Sequence, residues 1–553
     1  MTRRTTSLLS AATVCAALAL AGAVASGAGR KFYGDDPIAR EPATQDASKV
    51  APWDIDLFID LTLNLFGHPG DSAANVRARS INTVDEVPDS SWFTNRIGTR
   101  PVTVDEAVRG PLNGDGPAPG RWVVSRAKEA GAAPGFTMRD SRNETYFVSL
   151  DARDNPEAAT GALMVANKIF WTLGYWQVEN FLITVRPDQL EIGSTAVVNV
   201  PSGKRRPMRP SDLEAVFRRS EPNRDGSYRA VAARAVPGRV LGGFRYYGTR
   251  PDDPNDTIPH EHRRELRALK VFGGWTNLVD MKAGNTLDSL VTADGRATVR
   301  HYLQDVGSTF GSAANGPHEY NEGWEYIYEG GLLWKRLLTL GLYISPWQTV
   351  DYTENPAIGR FEGTRFDPTT WKPRVPTAAY LRARPDDDFW AARRVVAFSD
   401  ELIRAIAKTG AYSDPAAEKL LADVLIQRRD RIAQAFLPAV NPVVDVKLDP
   451  AGVLTFANAA VQTKVAKAPE AGYAITWSRF DNDTSTATAI GNGTATAEGR
   501  GQAPAGLPTA TGAFVKVEIS ANVPAHPAWS APAAAYFRRT GEGWLLVGFE
   551  RMP

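Results

Sequence analysis

Residues suited to acid–base and metal chemistry lie close together in two short segments of this 553-residue sequence. The first segment reads Asp280-Met281-Lys282-Ala283-Gly284-Asn285, a D-x-K-x-x-N pattern between two apolar stretches. The second reads Asp305-Val306-Gly307 and follows a short apolar run typical of a strand. Either pattern alone occurs by chance in long chains, where it lies in an ordinary polar loop. Both patterns in this order are a more specific signal.

These residue types match the few protein groups that phosphoryl transfer requires. One carboxylate accepts or orients the attacking hydroxyl, an amide and a second carboxylate hold a divalent metal, and a lysine steadies the transferred group. Asp280 suits the first role and Lys282 the last. Asn285 and Asp305 suit the metal, and such hard oxygen ligands favour Mg²⁺ or Mn²⁺. Gly307 permits the tight turn that would aim the Asp305 carboxylate inward.

The composition narrows the classes of partner and of metal site. The sequence contains 63 Lys and Arg against 62 Asp and Glu, and this net charge of +1 argues against nucleic-acid binding. Cys15 is the one cysteine in the sequence, which excludes a disulfide scaffold and thiolate-ligated metals. The hydrophobic fraction of 43% is sufficient for sizeable cores.

The first residues of the sequence predict export. Arg3 and Arg4 precede an apolar run at residues 8–25, which ends in the small-residue pattern Ala23-Val24-Ala25. This order is typical of a secretory signal peptide, here residues 1–25. The protein would then act in the periplasm, in the cell envelope or outside the cell, with no transmembrane segment in the mature chain. The alternative is that the run remains as an N-terminal membrane anchor.

The segment ahead of the two motifs predicts a small α+β lobe over residues 121–190. Its order is β-β-β-α-β, with strands expected at residues 122–124, 136–138, 146–150 and 181–185. The helix opens at Asn155-Pro156-Glu157, with the proline in its first turn, and ends at Gly174. Residues 130–135 form a glycine-containing turn between the first two strands. Residues 26–120 predict an extended wrapping segment with a short amphipathic helix at residues 53–61.

Residues 191–437 predict a connecting region, to about Asn255, and then a helical lobe. A helix from Pro259 to Trp275 leads into the D-x-K-x-x-N segment. Residues 390–437 are strongly helical, with Asp414 as a cap and Pro415 at the first helical position. Residues 443–553 show short alternating runs separated by turn residues, which predicts a β-sandwich-like domain.

With these motifs in this order, residues 120–437 resemble the protein-kinase-like superfamily. Asp280 to Asn285 look like its catalytic loop, and Asp305-Val306-Gly307 looks like its metal-binding Asp-Phe-Gly element with Val306 in the Phe place. The nearer resemblance is to atypical members, the HipA-like, CotH-like and secretory-pathway kinases. It implies a two-lobed α+β core, with a β-rich N-lobe carrying one helix and a larger helical C-lobe, ahead of the C-terminal β domain. It also implies Mg²⁺ or Mn²⁺ with ATP or another nucleotide.

The small lobe departs from the kinase pattern where the family carries an ion pair. Kinases have a lysine in the third strand that pairs with a glutamate of the next helix. Here Ser149 occupies the lysine place, and the inward helix positions near Leu163 are apolar. Both halves of the pair are therefore missing from their expected positions.

Two explanations of this departure stay open. Lys128 could supply the cation from another strand, with Glu157 as its partner. In that case Gly131 and Gly135 of the neighbouring turn would contact the nucleotide, although the turn is not G-x-G-x-x-G. Alternatively, the lobe has lost phosphate binding and the chain is a pseudokinase.

Three functions remain as hypotheses from the sequence. The first is an exported atypical kinase-like protein that binds a Mg- or Mn-nucleotide and transfers phosphate to a hydroxyl of a protein or carbohydrate acceptor. The second is a non-catalytic envelope or extracellular binding protein on a pseudokinase scaffold. The third is a carbohydrate-active protein with a β-sandwich appendage, for which the sequence shows no recognisable pair of catalytic carboxylates.

Overall fold

The computed structural model describes residues 29–127, 133–199, 205–293 and 295–552. The predicted signal peptide at residues 1–25, with Cys15, lies outside these residues. Within the described ranges, no helix is both long enough and apolar enough to cross a bilayer.

The N-terminal segment, residues 29–120, runs over the other parts of the molecule. Near its start Lys31 Nζ donates to Glu550 of the C-terminal β domain at 2.8 Å. Its two short helices are α1 (Leu57–Thr62) and α2 (Val104–Arg109). Asp56 caps α1 because its carboxylate accepts the amides of Phe58 and Ile59, each at 3.0 Å. The helix therefore begins later than the sequence pattern suggested.

The small lobe has the predicted order of strands and helix. Its elements are β1 (Trp122–Ala127), β2 (Gly135–Arg139), β3 (Thr145–Leu150), α3 (Ala158–Leu173) and β4 (Asn180–Val185). Helix α3 ends at Gly174 as predicted, but it begins after Pro156 instead of around it. The reason is that Glu157 adopts a left-handed conformation with φ of 68°, which a helical turn does not accept.

The region predicted as a connection contains regular structure that enlarges this lobe. Its elements are β5 (Leu190–Asn199), β6 (Arg205–Pro207), α4 (Pro210–Arg218), β7 (Tyr228–Arg234) and β8 (Arg239–Gly242). Strands β5, β6 and β7 join the lobe in one seven-stranded sheet of order β4-β7-β3-β2-β1-β5-β6. Strand formation depends on the neighbouring strands against which a segment packs, so the residues of such strands signal them weakly.

The predicted helix from Pro259 to Trp275 is interrupted. A 3₁₀ turn at His260–His262 is followed by α5 (Arg264–Arg267) and α6 (Leu269–Thr276). The interruption lies at Arg263, whose backbone is extended (φ −85°, ψ 120°) and cannot continue a helical ladder. Strands β9 (Thr286–Ala293) and β10 (Arg296–Leu303) then form a hairpin that pairs with β8.

The rest of the large lobe contains two short strands and five α-helices, and the helices after residue 384 cover most of the segment predicted to be helical. Its elements are the short strands β11 (Ser312–Ala313) and β12 (Gly316–Pro317) and the helices α7 (Gly330–Leu338), α8 (Ala378–Leu381), α9 (Pro385–Val396), α10 (Asp400–Lys408) and α11 (Pro415–Phe436). Asp414 caps α11 by accepting the amide of Ala416 at 2.9 Å. Trp275 and Trp390 are buried in the main core, where the helices pack against one another.

The C-terminal domain is an antiparallel sheet of eight strands in the order β13-β14-β17-β16-β15-β18-β19-β20. Its elements are β13 (Val443–Leu448), β14 (Val453–Asn458), α12 (Ala459–Gln462), β15 (Tyr473–Asp481), β16 (Thr486–Ala495), β17 (Arg500–Gln502), β18 (Phe514–Ser520), β19 (Ala533–Arg539) and β20 (Trp544–Glu550). The sheet nearly closes, because Arg551 after β20 donates to the Val443 carbonyl of β13 at 3.0 Å. This is a sandwich- or barrel-like β domain.

Buried ion pairs join the large lobe to the N-terminal segment. Arg264 of α5 is fully buried and contacts Asp85 at 2.9 Å, Asp386 at 3.0 Å and Asp387 at 2.9 Å. Arg267 contacts Asp387 at 3.0 Å. Burial opposes the charge on Arg264, but the surrounding carboxylates, led by Asp85, raise its pKa above the usual range. The guanidinium therefore stays charged inside the protein.

The variant Arg264→Ala should destabilise the fold strongly, because it removes the buried cation that Asp85, Asp386 and Asp387 share. Arg384 still contacts Asp386 and Arg267 still contacts Asp387, but these buried carboxylates lose part of their charge compensation. We expect a loss of about 3–5 kcal/mol in the free energy of unfolding. Urea unfolding at neutral pH measures it. Arg404→Ala is the matched control, since Arg404 forms an exposed pair with Asp423 and such pairs contribute about 0–1 kcal/mol. Equal losses in the two variants would contradict this account.

A buried lysine makes stability depend on alkaline pH. Lys168 of α3 is buried and donates to the Arg109 carbonyl at 2.8 Å, and burial lowers its pKa to about 8. The unfolded chain then binds more protons than the folded chain between the two pKa values, so stability should rise with pH from about 8 to about 10.5, by about 3 kcal/mol in all. Urea unfolding across this pH range should show the rise in the natural chain and not in Lys168→Met.

Candidate functional site

The β9–β10 hairpin brings the two sequence motifs together at its open end, because one motif precedes β9 and the other follows β10. Thr286 at the start of β9 lies opposite Leu303 at the end of β10. The amides of Gln304 and Asp305 then both donate to the Asn285 carbonyl, each at 3.1 Å. Residues just before β9 and just after β10 are neighbours for this reason, so the structure places Asn285 beside Asp305.

The D-x-K-x-x-N segment is folded around the carboxylate of Asp280. Asn285 Nδ2 donates to the Asp280 carbonyl at 2.7 Å and to its Oδ2 at 3.1 Å. Lys282 Nζ donates to the same oxygen at 2.8 Å. The Asp280 side chain is 17% exposed and that of Lys282 is 43% exposed. The structure therefore brings all three residues to one point that solvent can reach.

Buried apolar residues hold this loop in place. Asn277 ends α6 in a left-handed conformation with φ of 56°, which turns the chain toward the loop. Met281 and Ala283 are buried in the loop itself. Val306, in the Phe place of the second motif, is buried in the main core, whereas Asp305 beside it is exposed. The buried apolar residues thus fix the position of the two motifs, while the polar side chains of Asp280, Lys282 and Asp305 stay accessible to solvent.

The donor chemistry of Asn285 and Asp305 fits a divalent metal. The amide nitrogen of Asn285 is committed to Asp280, and its Oδ1 makes no hydrogen bond within the described part of the chain. Asp305 Oδ1 accepts the Gly307 amide at 3.0 Å, which orients the carboxylate. Residues 29–127, 133–199, 205–293 and 295–552 contain no group of three or more His, Cys, Asp or Glu suited to a metal. Two hard ligands completed by water and phosphate oxygens are typical of Mg²⁺.

The small lobe faces this site with an apolar side chain. Leu163 of α3 lies against Gly307, since a Cβ on that glycine would be 3.7 Å from the leucine and 3.3 Å from Asp305 Oδ1. Ser149 lies in β3, paired with Gly135 in β2 and with Val231 in β7. In β3 and α3, as described, the lysine–glutamate pair of kinases does not occur.

Of the four other predicted nucleotide-binding residues, two lie outside the residues that the structure describes, and the other two have contacts with residues outside the motifs. Lys128 and Gly131 are outside the described residues. Gly135 opens β2, where a Cβ would stand 2.2 Å from the Val148 carbonyl oxygen, so packing alone requires glycine there. Glu157 accepts the Ser413 amide at 2.9 Å and so points to the loop between α10 and α11. The roles suggested for these four residues remain predictions.

Three residues near the site, Arg374, Glu322 and His318, belong to no sequence motif and were not predicted. Arg374 lies 4.0 Å from Asp280 Oδ2 and donates to Glu322 at 2.6 Å. Burial raises the pKa of Glu322, and Arg374 opposes that shift. Burial, with the charge of Arg374, lowers the pKa of His318 to about 3. His318 is therefore neutral at physiological pH, and its Nε2 lies 3.0 Å from Ser308 Oγ.

Comparison with known proteins identifies no family. No family profile matches the sequence, and no curated protein does. Among solved structures, the proinflammatory kinase CtkA of Helicobacter pylori is 11% identical, with a TM-score of 0.28, over 55% of this chain and 92% of that one. The Golgi casein kinase with Mn and ADP bound is 8% identical, with a TM-score of 0.29, over 61% of this chain and 78% of that one. Scores this low do not say what this chain does.

The variant Asn285→Asp should destabilise the loop, because it replaces the amide donor at Asp280 with a second carboxylate. We expect a loss of about 1–3 kcal/mol in the free energy of unfolding at pH 7, measured with urea. Asn143→Asp is the control, since Asn143 is exposed and accepts from Arg139 through an oxygen that aspartate retains. A loss no larger than in this control would show that Asn285 does not organise the loop.

Proposed function

We propose that this chain is an exported kinase-like protein that binds a nucleotide with Mg²⁺ or Mn²⁺ and transfers its terminal phosphoryl group to a hydroxyl acceptor. The observation that carries the proposal is the juxtaposition of Asn285 and Asp305 at the open end of the β9–β10 hairpin, next to Asp280. Such a pair beside a half-buried carboxylate is what phosphoryl transfer needs from a protein.

The roles of the residues follow from their positions. Asp280 accepts the proton of the attacking hydroxyl, whose oxygen bonds to the terminal phosphorus as the bond to the bridging oxygen breaks and the nucleoside diphosphate leaves. Lys282 is half exposed next to that carboxylate and can contact the transferred group. Asn285 and Asp305 would hold the divalent metal, which neutralises phosphate charge when bound.

Export is the part of the proposal that rests on the sequence. The apolar run at residues 8–25, behind Arg3 and Arg4, supports a signal peptide that ends at residue 25. The acceptor would then be a protein or carbohydrate hydroxyl outside the cytosol.

A second function, a non-catalytic pseudokinase scaffold, is favoured by a specific observation in the small lobe. The apolar Leu163 lies against Gly307 beside Asp305, and Ser149 stands in β3, where the kinase resemblance implies a lysine. A lobe without this pair can still bind nucleotide through the metal site, while it holds the phosphates less well for transfer. The two functions therefore differ in turnover and agree in binding.

Nucleotide binding should be visible as thermal stabilisation. ATP or ADP with Mg²⁺ or Mn²⁺, at about 100 times its Kd, should stabilise the chain by about 2.7 kcal/mol, and Asp305→Asn should remove most of that gain. Asp188→Asn is the matched control, because Asp188 is exposed in a turn between β4 and β5. No shift with any nucleotide, or an equal shift in Asp305→Asn, would refute the metal–nucleotide site.

Transfer separates the kinase from the pseudokinase. If the chain is a kinase, release of ADP with a hydroxyl acceptor should fall at least 100-fold in Asp280→Asn, while the nucleotide-dependent thermal shift persists. The thermal shift without turnover in the natural chain would establish the pseudokinase instead.

A further inference from the structure

A helix of the large lobe and the turn after it expose a run of large apolar side chains. Helix α7 and the residues that follow it, to Ile344, present large aliphatic side chains to solvent. Leu338 is 79% exposed, Leu340 88% and Leu342 82%. Contiguous exposed apolar surface of this kind marks a site of interaction.

Helix α7 is apolar on several sides and buries none of its residues. Its exposed apolar side chains, with those just after it, are Leu333, Trp334, Leu337, Leu338, Leu340 and Leu342. A helix that is hydrophobic around most of its circumference is stable when an apolar medium surrounds it. A flat protein surface covers one side of such a helix, whereas the interior of a lipid leaflet covers all of them.

A second apolar face continues this surface. Helix α1 and the turn after it expose Leu57, Phe58, Ile59, Leu63 and Phe66, and Phe58 is 77% exposed. The ring of Phe66 lies 4.9 Å from that of Tyr328, which stands just before α7. We call the exposed apolar side chains of residues 57–66 and of residues 327–344 together the apolar platform.

Aromatic and basic side chains lie among the apolar residues of the platform. Lys335 Nζ lies 3.8 Å above the ring of Tyr343, and Arg336 is held by Glu325 at 2.8 Å. Trp334 and Tyr328 are exposed beside them. Aromatic rings and basic side chains at the edge of an apolar face are typical of helices that lie in the headgroup region of a bilayer.

The platform adjoins the candidate site. The side chain of Leu57 packs against the D-x-K-x-x-N loop, since a Cβ on Gly284 would lie 3.1 Å from Leu57 Cδ1. Lys282 is also next to this glycine. Whatever covers α1 therefore lies next to the loop that carries Asp280.

We infer that the apolar platform inserts into the outer part of a lipid bilayer and holds the Asp280 loop at the membrane surface. The apolar run at residues 8–25, which serves either as a signal peptide or as an anchor, brings the chain to a membrane in both cases. One consequence rests on the proposed function. If the chain transfers phosphate, the acceptor hydroxyl belongs to a molecule that is itself held at the bilayer surface.

Vesicle flotation of the full chain tests the insertion. The probe is phosphatidylcholine vesicles, with and without phosphatidylglycerol. Because the run at residues 8–25 is the same in every variant, differences between variants report on the platform. The test variant is Leu338→Glu with Leu340→Glu and Leu342→Glu, and the control is Val240→Glu with Leu545→Glu, two exposed apolar residues elsewhere on the surface.

We expect the test variant to reduce the vesicle-bound fraction at least tenfold and the control to leave it unchanged. Brominated lipid should quench part of the tryptophan fluorescence of the natural chain, and Trp334→Phe should remove that part. The quenching measurement tests insertion of the platform even if residues 8–25 alone keep every variant on the vesicles.

Two outcomes would overturn the inference. One is the absence of both a platform-dependent change in flotation and Trp334-dependent quenching. The other is concentration-dependent self-association that the test variant abolishes without any vesicle effect, which would assign the platform to a second copy of this chain. The nucleotide-dependent thermal shift should persist in the test variant, and Asp305→Asn should still float with the vesicles. A failure of membrane insertion can therefore be distinguished from a failure of the proposed nucleotide binding.

Discussion

Arg264 makes ion pairs inside the protein with carboxylates from two separated parts of the chain, Asp85 in the N-terminal segment and Asp386 and Asp387 in α9. A buried guanidinium is expensive to desolvate and is tolerated when partners surround it. The position of α5 therefore depends on the wrapping segment and α9 being in place together. This constraint ties the N-terminal segment to the large lobe.

The geometry of the candidate site depends on the position of α5, which these ion pairs fix. Helix α6 follows α5 and ends at Asn277, whose left-handed backbone turns the chain into the Asp280 loop. The β9–β10 hairpin then returns the chain so that Asp305 donates to Asn285. Two motifs well separated in sequence become neighbours through a ladder of backbone hydrogen bonds, and their side chains are aimed by Val306 and Met281, which are buried.

The two lobes contribute unequally to this chemistry. The large lobe supplies the carboxylate of Asp280, to which both Lys282 and the Asn285 amide donate. It also places Asp305 beside Asn285 through a backbone hydrogen bond. The small lobe supplies Leu163 near Asp305, and Ser149 in the strand where a kinase carries its lysine. The large lobe therefore provides the residues to which we assign metal binding and proton transfer, and any phosphate contact from the small lobe would have to come from residues other than Leu163 and Ser149. The exposed platform beside the loop adds the apolar surface for which we propose insertion into a bilayer.

The sequence alone determined the two motifs, the β-β-β-α-β order, the end of α3 at Gly174 and the cap of α11, because these depend on local spacing and backbone preference. It missed β5–β7 and the interruption at Arg263, which depend on neighbouring strands and on buried charge partners. It also gave no sign of Arg374 or His318, which reach the site from distant positions. The apolar residues of α7 would read the same in a core or on a surface. Only the tertiary structure decided that they face outward, because burial is a property of what packs around a helix and not of its own residues.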